Sequence, residues 1–110
     1  MKAPAVLLLG KNRQEATIAS AALYCAGARI VTTKPDLALV IDVKALPKRL
    51  NVPLVAIVPP RERRRALVGG VDAAYARPMQ WKAYSRLVER VLAEWAPTRK
   101  AARPRRGRTS

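Results

Sequence analysis

Three unbroken apolar runs, each bounded by glycine or proline, restrict the folds open to this chain more than any other feature. Ala5-Val-Leu-Leu-Leu9 stops at Gly10, Leu37-Ala-Leu-Val-Ile41 follows Pro35-Asp36, and Leu54-Val-Ala-Ile-Val58 lies between Pro53 and Pro59-Pro60. None of them alternates apolar with polar residues. Each therefore reads as a strand buried on both faces, the pattern of a parallel sheet covered by helices. Helical spacing follows the first run: Ala16, Ile18, Ala19, Ala22, Leu23 and Ala26 recur through residues 13–26, and Gly27 stands past the end as a cap.

Shorter elements fill the remainder. Residues 29–33 are β-branched and strand-like, and residues 44–50 leave room for one or two helical turns. Residues 61–68 read as helix ended by Gly69-Gly70, and residues 71–76 as a last short strand. From Met79 onward, Trp81, Tyr84, Leu87, Val88, Val91, Leu92 and Trp95 keep helical period. Strands alternating with helices predict an α/β three-layer sandwich with a mostly parallel sheet of four to five strands. A chain of 110 residues fits one domain, placed at residues 1–96. Residues 97–110 are rich in Pro, Arg and Gly, have nothing to bury, and are predicted to be a disordered basic tail.

Composition removes several kinds of chemistry. Aromatic residues are only 5% with no Phe, so the core must be packed from Ala, Val and Leu. There is no histidine, which excludes His-based triads, imidazole acid–base work and His metal ligands. Seven scattered acids and the single Cys25 give a poor basis for a metal site, and no cofactor is expected. Cys25 has no intrachain partner and reads as a small hydrophobe in a reducing compartment. Residues 3–9 are at the short limit for a signal-peptide core, and Gly10-Lys11-Asn12-Arg13 offers no small-residue cleavage site. No run approaches a membrane span, so a cytoplasmic protein is expected.

Charge points to partners. Lys and Arg total 22 against 7 acids, a net +15. Six of those cations, Arg99, Lys100, Arg103, Arg105, Arg106 and Arg108, lie in the tail, and removing them leaves the body at +9 by the same count. Such a field attracts polyanions, nucleic acid first. Arg61, Arg63, Arg64 and Arg65 form a second cluster before and on the helix at 61–68. Arginine grips phosphate bidentately, but no helix-turn-helix or other base-reading motif is present, so binding should be electrostatic and weakly sequence-selective. Solubility, or arginine-favouring codon usage, explains the same charge without a ligand.

Three stretches, "VLLLGKNRQEATIASAALYCAGARIV", "KPDLALVID" and "GGVDAAYARPMQWKAYSRLVERVL", resemble the receiver domain of bacterial response regulators in order and spacing. The resemblance implies a flavodoxin-like sheet of order 2-1-3-4-5 and a phosphoacceptor pocket at its carboxyl end. The pocket residues are degenerate. A receiver holds Mg²⁺ with two acids after the first strand, where this chain has Gly10 and Lys11. Its hydroxyl after the fourth strand is matched by Val58, its lysine by Arg77 before Pro78, and its switch aromatic by Ala74. Asp42 stands near the phosphoacceptor position, one residue later than the usual count from Pro35. Phosphoryl transfer depends on a cation and positioned protein groups, so the resemblance implies a pseudo-receiver in which Lys11 and Arg77 pair with Asp42.

The connections are short for that family. Nothing between Thr33 and Pro35 holds a second helix, and residues between Asp42 and Pro53 hold only part of a third, so both are predicted to be shortened or missing. A parallel crossover normally needs about a dozen residues. Residues 29–33 either return through an extended crossover or pair differently, and both cases leave apolar sheet surface bare for a protein partner or a second copy. The function read from these features is a non-catalytic receiver-like regulatory module that binds partners and nucleic acid. Two other readings stand beside it. One is a phosphorelay receiver using Asp42. The other is a ribosomal-type RNA-binding protein, because Gly10-Lys11-Asn12 and Asn51-Val-Pro-Leu-Val55 are similar to stretches of the kink-turn-binding family. A phosphate-loop enzyme has little support, since Gly10-Lys11 lacks the glycine spacing and the Lys-Ser/Thr pair.

Overall fold

The computed structural model describes residues 3–47 and 51–95. Five strands, β1 (Ala5–Leu9), β2 (Arg29–Ile30), β3 (Leu37–Val40), β4 (Leu54–Val58) and β5 (Ala73–Ala76), form one sheet in the order β2-β1-β3-β4-β5. Every neighbouring pair is parallel. Three helices, α1 (Arg13–Cys25), α2 (Arg63–Val68) and α3 (Trp81–Trp95), cover it. The three apolar runs are the three central strands, as continuous hydrophobicity predicts for strands covered on both faces.

Local chemistry sets the boundaries. Asn12 caps α1, its Oδ1 accepting the Glu15 N–H at 3.0 Å. The chain leaves that helix through Gly27 at φ 86°, a left-handed conformation that glycine adopts without steric cost. Two aspartates, one before β3 and one before β5, each pin the start of the strand beside their own in the same way. Asp36 Oδ2 accepts the Ala5 N–H at 2.9 Å, and Asp72 Oδ2 accepts the Leu54 N–H at 2.8 Å. Each satisfies a strand-end donor that the ladder leaves open.

Alternation along the strands sorts two cores. Val6, Leu37, Leu39, Val55 and Ile57 face α1 and α3, where they meet Leu23, Tyr84, Val88 and Val91. Ala38, Val40, Ala56 and Val58 face the other side, against Ala66 of α2 and Val71. Full burial of one Val or Leu side chain contributes about 1.5–3 kcal/mol, so these layers dominate the stability of an aliphatic core.

The second and third helices of the receiver pattern are replaced by short links. The strand read at 29–33 is confined to Arg29–Ile30 and pairs with β1 in the receiver order. Residues 31–36 then return as a short crossover of bends, with Lys34 at φ 50°. Between β3 and β4 the described residues hold one 3-10 turn, Val43–Ala45.

The sheet face beneath these links is less bare than their length implied. Val43, Leu46 and Val52 pack against the second core, and Leu7 and Leu9 are left half-buried rather than exposed. Leu46 reaches far enough to abut Gly69, where an added Cβ would lie 2.5 Å from its Cδ1. A short link therefore covers sheet with a few branched side chains where a helix would use a whole face. Among the described residues, no helix is long and apolar enough to cross a membrane.

Candidate functional site

The carboxyl ends of parallel strands form the natural site of an open α/β sheet. Here that edge is composed of Gly10 and Lys11 after β1, Ile41 and Asp42 after β3, Val58 and Pro59 at the end of β4, and Arg77 and Pro78 after β5. The positions expected from the sequence do gather at one end of the molecule, yet they do not form one polar pocket.

Apolar packing occupies the space between β1 and β3. Ile41 continues β3, its N–H donating to the Leu9 carbonyl at 2.9 Å, and its side chain is 2% exposed. It lies across Gly10. A Cβ built on Gly10 would overlap Ile41 Cγ1 and sit 2.8 Å from Cδ1. Glycine at position 10 is thus required by close approach, and Ile41 takes the volume that a side chain from β1 would use. Val58 is fully buried in the second core beside α2, so it presents nothing polar at this edge.

Asp42 is half-buried and faces its own turn. Its Oδ1 accepts the Lys44 N–H at 2.9 Å, capping the 3-10 turn. The expected pairing of Lys11 and Arg77 with Asp42 does not form. Lys11 is exposed, and the guanidinium of Arg77 turns to Glu15 on α1, with Nη1 3.4 Å from Oε1. Both side chains are largely covered, 28% and 15% exposed, so this pair is better shielded than a surface ion pair.

Tyr84 of α3 completes a small interior cluster with Glu15 and Arg77. Its ring belongs to the first core and its hydroxyl is buried without a hydrogen-bond partner. Burial pushes that hydroxyl up to about 12 from 10.0; the charge of Glu15 adds to the rise and Arg77 opposes it. Glu15 was not singled out in the sequence, and Tyr84 only as an apolar position of the last helix. The Asn12-x-x-Glu15 spacing does mark a helix start. It does not say that Glu15 is the partner of a residue 62 positions away.

Magnesium does not fit this arrangement. The ion is held by carboxylates and water, but the matching positions supply Gly10, the cation Lys11 and one aspartate already used as a cap. Among the described residues no three Asp, Glu or Cys side chains converge.

The basic residues divide. Arg61, in the 3-10 turn before α2, and Arg64 and Arg65 in its first turn are exposed. Arg63 is not a free member of that cluster, because its Nε donates to the Ala74 carbonyl on the edge strand β5 at 3.0 Å. A sequence cluster of four becomes one anchor and three exposed cations. Arg99, Lys100, Arg103, Arg105, Arg106 and Arg108, with the boundary at residue 96 and the proposed tail, lie outside the described residues.

No protein-family model matches the chain, and no curated protein sequence does. Its fold is that of a response-regulator receiver domain. The chain is similar to the crystal structure of a response regulator in red light signaling of R. palustris, with a TM-score of 0.64 and 14% identity over 94% of this chain and 99% of that one. At this identity the likeness is one of fold.

Proposed function

We propose that this chain is a non-catalytic, receiver-like binding module that works without phosphorylation, through protein contacts and an electrostatic nucleic-acid surface. One observation carries the first half: Ile41 fills the end of the sheet against Gly10, while Arg77 is neutralised internally by Glu15. A phosphoryl group at Asp42 would find neither the metal-holding acids nor a free cation from β5. Addition of Mg²⁺ with beryllofluoride, a stand-in for a bound phosphoryl group, is expected to leave the amide NMR signals of residues 10–12, 42 and 77 in place. Saturable shifts there would overturn this half.

The second half rests on charge. Arg61, in the 3-10 turn before α2, and Arg64 and Arg65 on α2 are exposed, the body carries +9, and the six cations beyond residue 96 extend the field. Phosphate contacts of this kind release counterions and make affinity salt-dependent without reading bases. Each phosphate neutralised adds about 0.9 to the log–log salt slope on duplex DNA, so ending the chain after Ala96 should lower that slope by roughly two to five. Arg64→Glu with Arg65→Glu should weaken the truncated chain further. Unchanged affinity and slope on truncation would remove the tail from the interface. Protein contacts, with a partner or a second copy, are assigned to the half-buried strip of Leu7 and Leu9.

A further inference from the structure

We propose that the carboxyl end of the sheet takes single-stranded nucleic acid, with Trp81 as the surface on which an unstacked base lies. The proposal rests on the nucleic-acid reading above and narrows it to one substrate class and one end of the molecule.

All five strands are parallel, so the loops that follow them emerge at one end. Lys11 and Arg13 follow β1, Arg61 follows β4 with Arg64 and Arg65 in the next helical turn, and Lys82 follows β5 at the start of α3. All six are exposed. Few carboxylates compete for them. Glu15 pairs with Arg77, Asp42 caps its own turn, and Glu62 is half-buried. The other four acids lie away from this end: Asp36 and Asp72 bond at strand starts, and Glu89 and Glu94 stand beyond the first two turns of α3. The carboxyl end is therefore basic, and a polyanion is drawn to it.

Two large apolar side chains stand among these cations. Trp81 keeps the helical period of Tyr84, Val88 and Val91, which are buried in the first core, but as the first residue of α3 it remains 47% exposed. Met79 beside it is 95% exposed. The Arg77–Glu15 pair ties this loop to the first turn of α1, which places Lys11 and Arg13 on the same side as Trp81 and Lys82. A duplex keeps its base faces stacked inside and offers the indole none of them. A single strand brings phosphate to the cations and an open base face to the ring, and such stacking tolerates any sequence. A bilayer would call for a whole apolar helix face. That face of α3 is buried in the core, which leaves one ring and one thioether outside it.

The test titrates the full chain with short oligo-dT and oligo-U, with a DNA duplex of the same length, and with phosphatidylserine vesicles. Trp81→Ala should weaken binding of both single strands by about five- to hundredfold and leave the duplex within about twofold. Trp81→Phe should restore most of that loss, since stacking needs only an aromatic face. Lys11→Gln with Arg13→Gln and Lys82→Gln should lower the log–log salt slope on single strands by up to about two. Met79→Ala, at an almost fully exposed position, keeps the core intact and should weaken the single strands by about twofold or more. Three results would each overturn the proposal: equal losses on duplex and single strands, single-strand binding indifferent to Trp81 and Met79, or Trp81-dependent vesicle binding that the oligomers do not displace. With duplex binding intact, they leave the wider nucleic-acid reading in place. Failure to bind either form of nucleic acid would overturn both.

Discussion

Gly10 and Ile41 share one volume at the carboxyl end of the sheet: a Cβ on Gly10 would overlap Ile41 Cγ1 and stand 2.8 Å from Cδ1. The isoleucine is 2% exposed, and its N–H donates to the Leu9 carbonyl, so its backbone is held in line with the β1–β3 ladder.

That relationship predicts strong coupling between the two positions. Gly10→Ala should destabilise by about 1–3 kcal/mol through overpacking. Ile41→Ala should cost about 2–5 kcal/mol through the cavity it leaves. The double variant should cost less than the sum, because the new methyl group enters that cavity. Urea unfolding of all four proteins measures the coupling as a double-mutant cycle. Strict additivity would show that the two residues do not compete.

The Glu15–Arg77 pair predicts an asymmetric response. Arg77→Ala leaves a mostly covered carboxylate without its cation and should cost about 1–3 kcal/mol. Glu15→Gln combined with Arg77→Ala removes the stranded charge as well and should recover part of that loss. Thermal unfolding at low and high salt checks both, and the effect should persist in salt because the pair is shielded. No recovery in the double variant would mean that Arg77 stabilises by packing alone.

Tyr84 predicts an alkaline dependence. Its hydroxyl is raised to about 12 in the folded chain against 10.0. Between those values the unfolded chain has released this proton while the folded chain keeps it. The contribution is therefore fully present below the unfolded value and lost as pH rises through the folded one, roughly 2–3 kcal/mol in all. Tyr84→Phe lacks this loss, and at neutral pH it should be close to neutral in stability, since the hydroxyl has no partner to lose. The difference between the two proteins in urea midpoint below and above the window isolates Tyr84, because all other groups titrate in both. A pH-independent difference would contradict the buried placement.

Much of the fold was legible because its signals are local. Continuous apolar runs placed β1, β3 and β4, and the spacing from Trp81 to Trp95 placed α3. The missing second helix was readable from chain length alone, since too few residues separate Thr33 from Pro35. The site was less legible because its determinants are partnerships across the chain. Arg77 was recognised as the residue at the lysine position, but its partner Glu15 is fixed only when α1 packs beside α3. Arg63 looked like a member of a charge run and is instead bonded to an edge-strand carbonyl. The bare sheet face was over-read, because residue counts do not register how far Leu46 and Val52 reach.

The direct test of the account is the phosphorylation state of Asp42. The full chain is incubated with acetyl phosphate and Mg²⁺ and its intact mass is measured before and after acid and hydroxylamine treatment. With Ile41 packed over Gly10, Lys11 in place of an acid and Arg77 held by Glu15, the mass should not change. A stoichiometric, acid-labile gain of one phosphoryl group mapped to Asp42 would contradict the account.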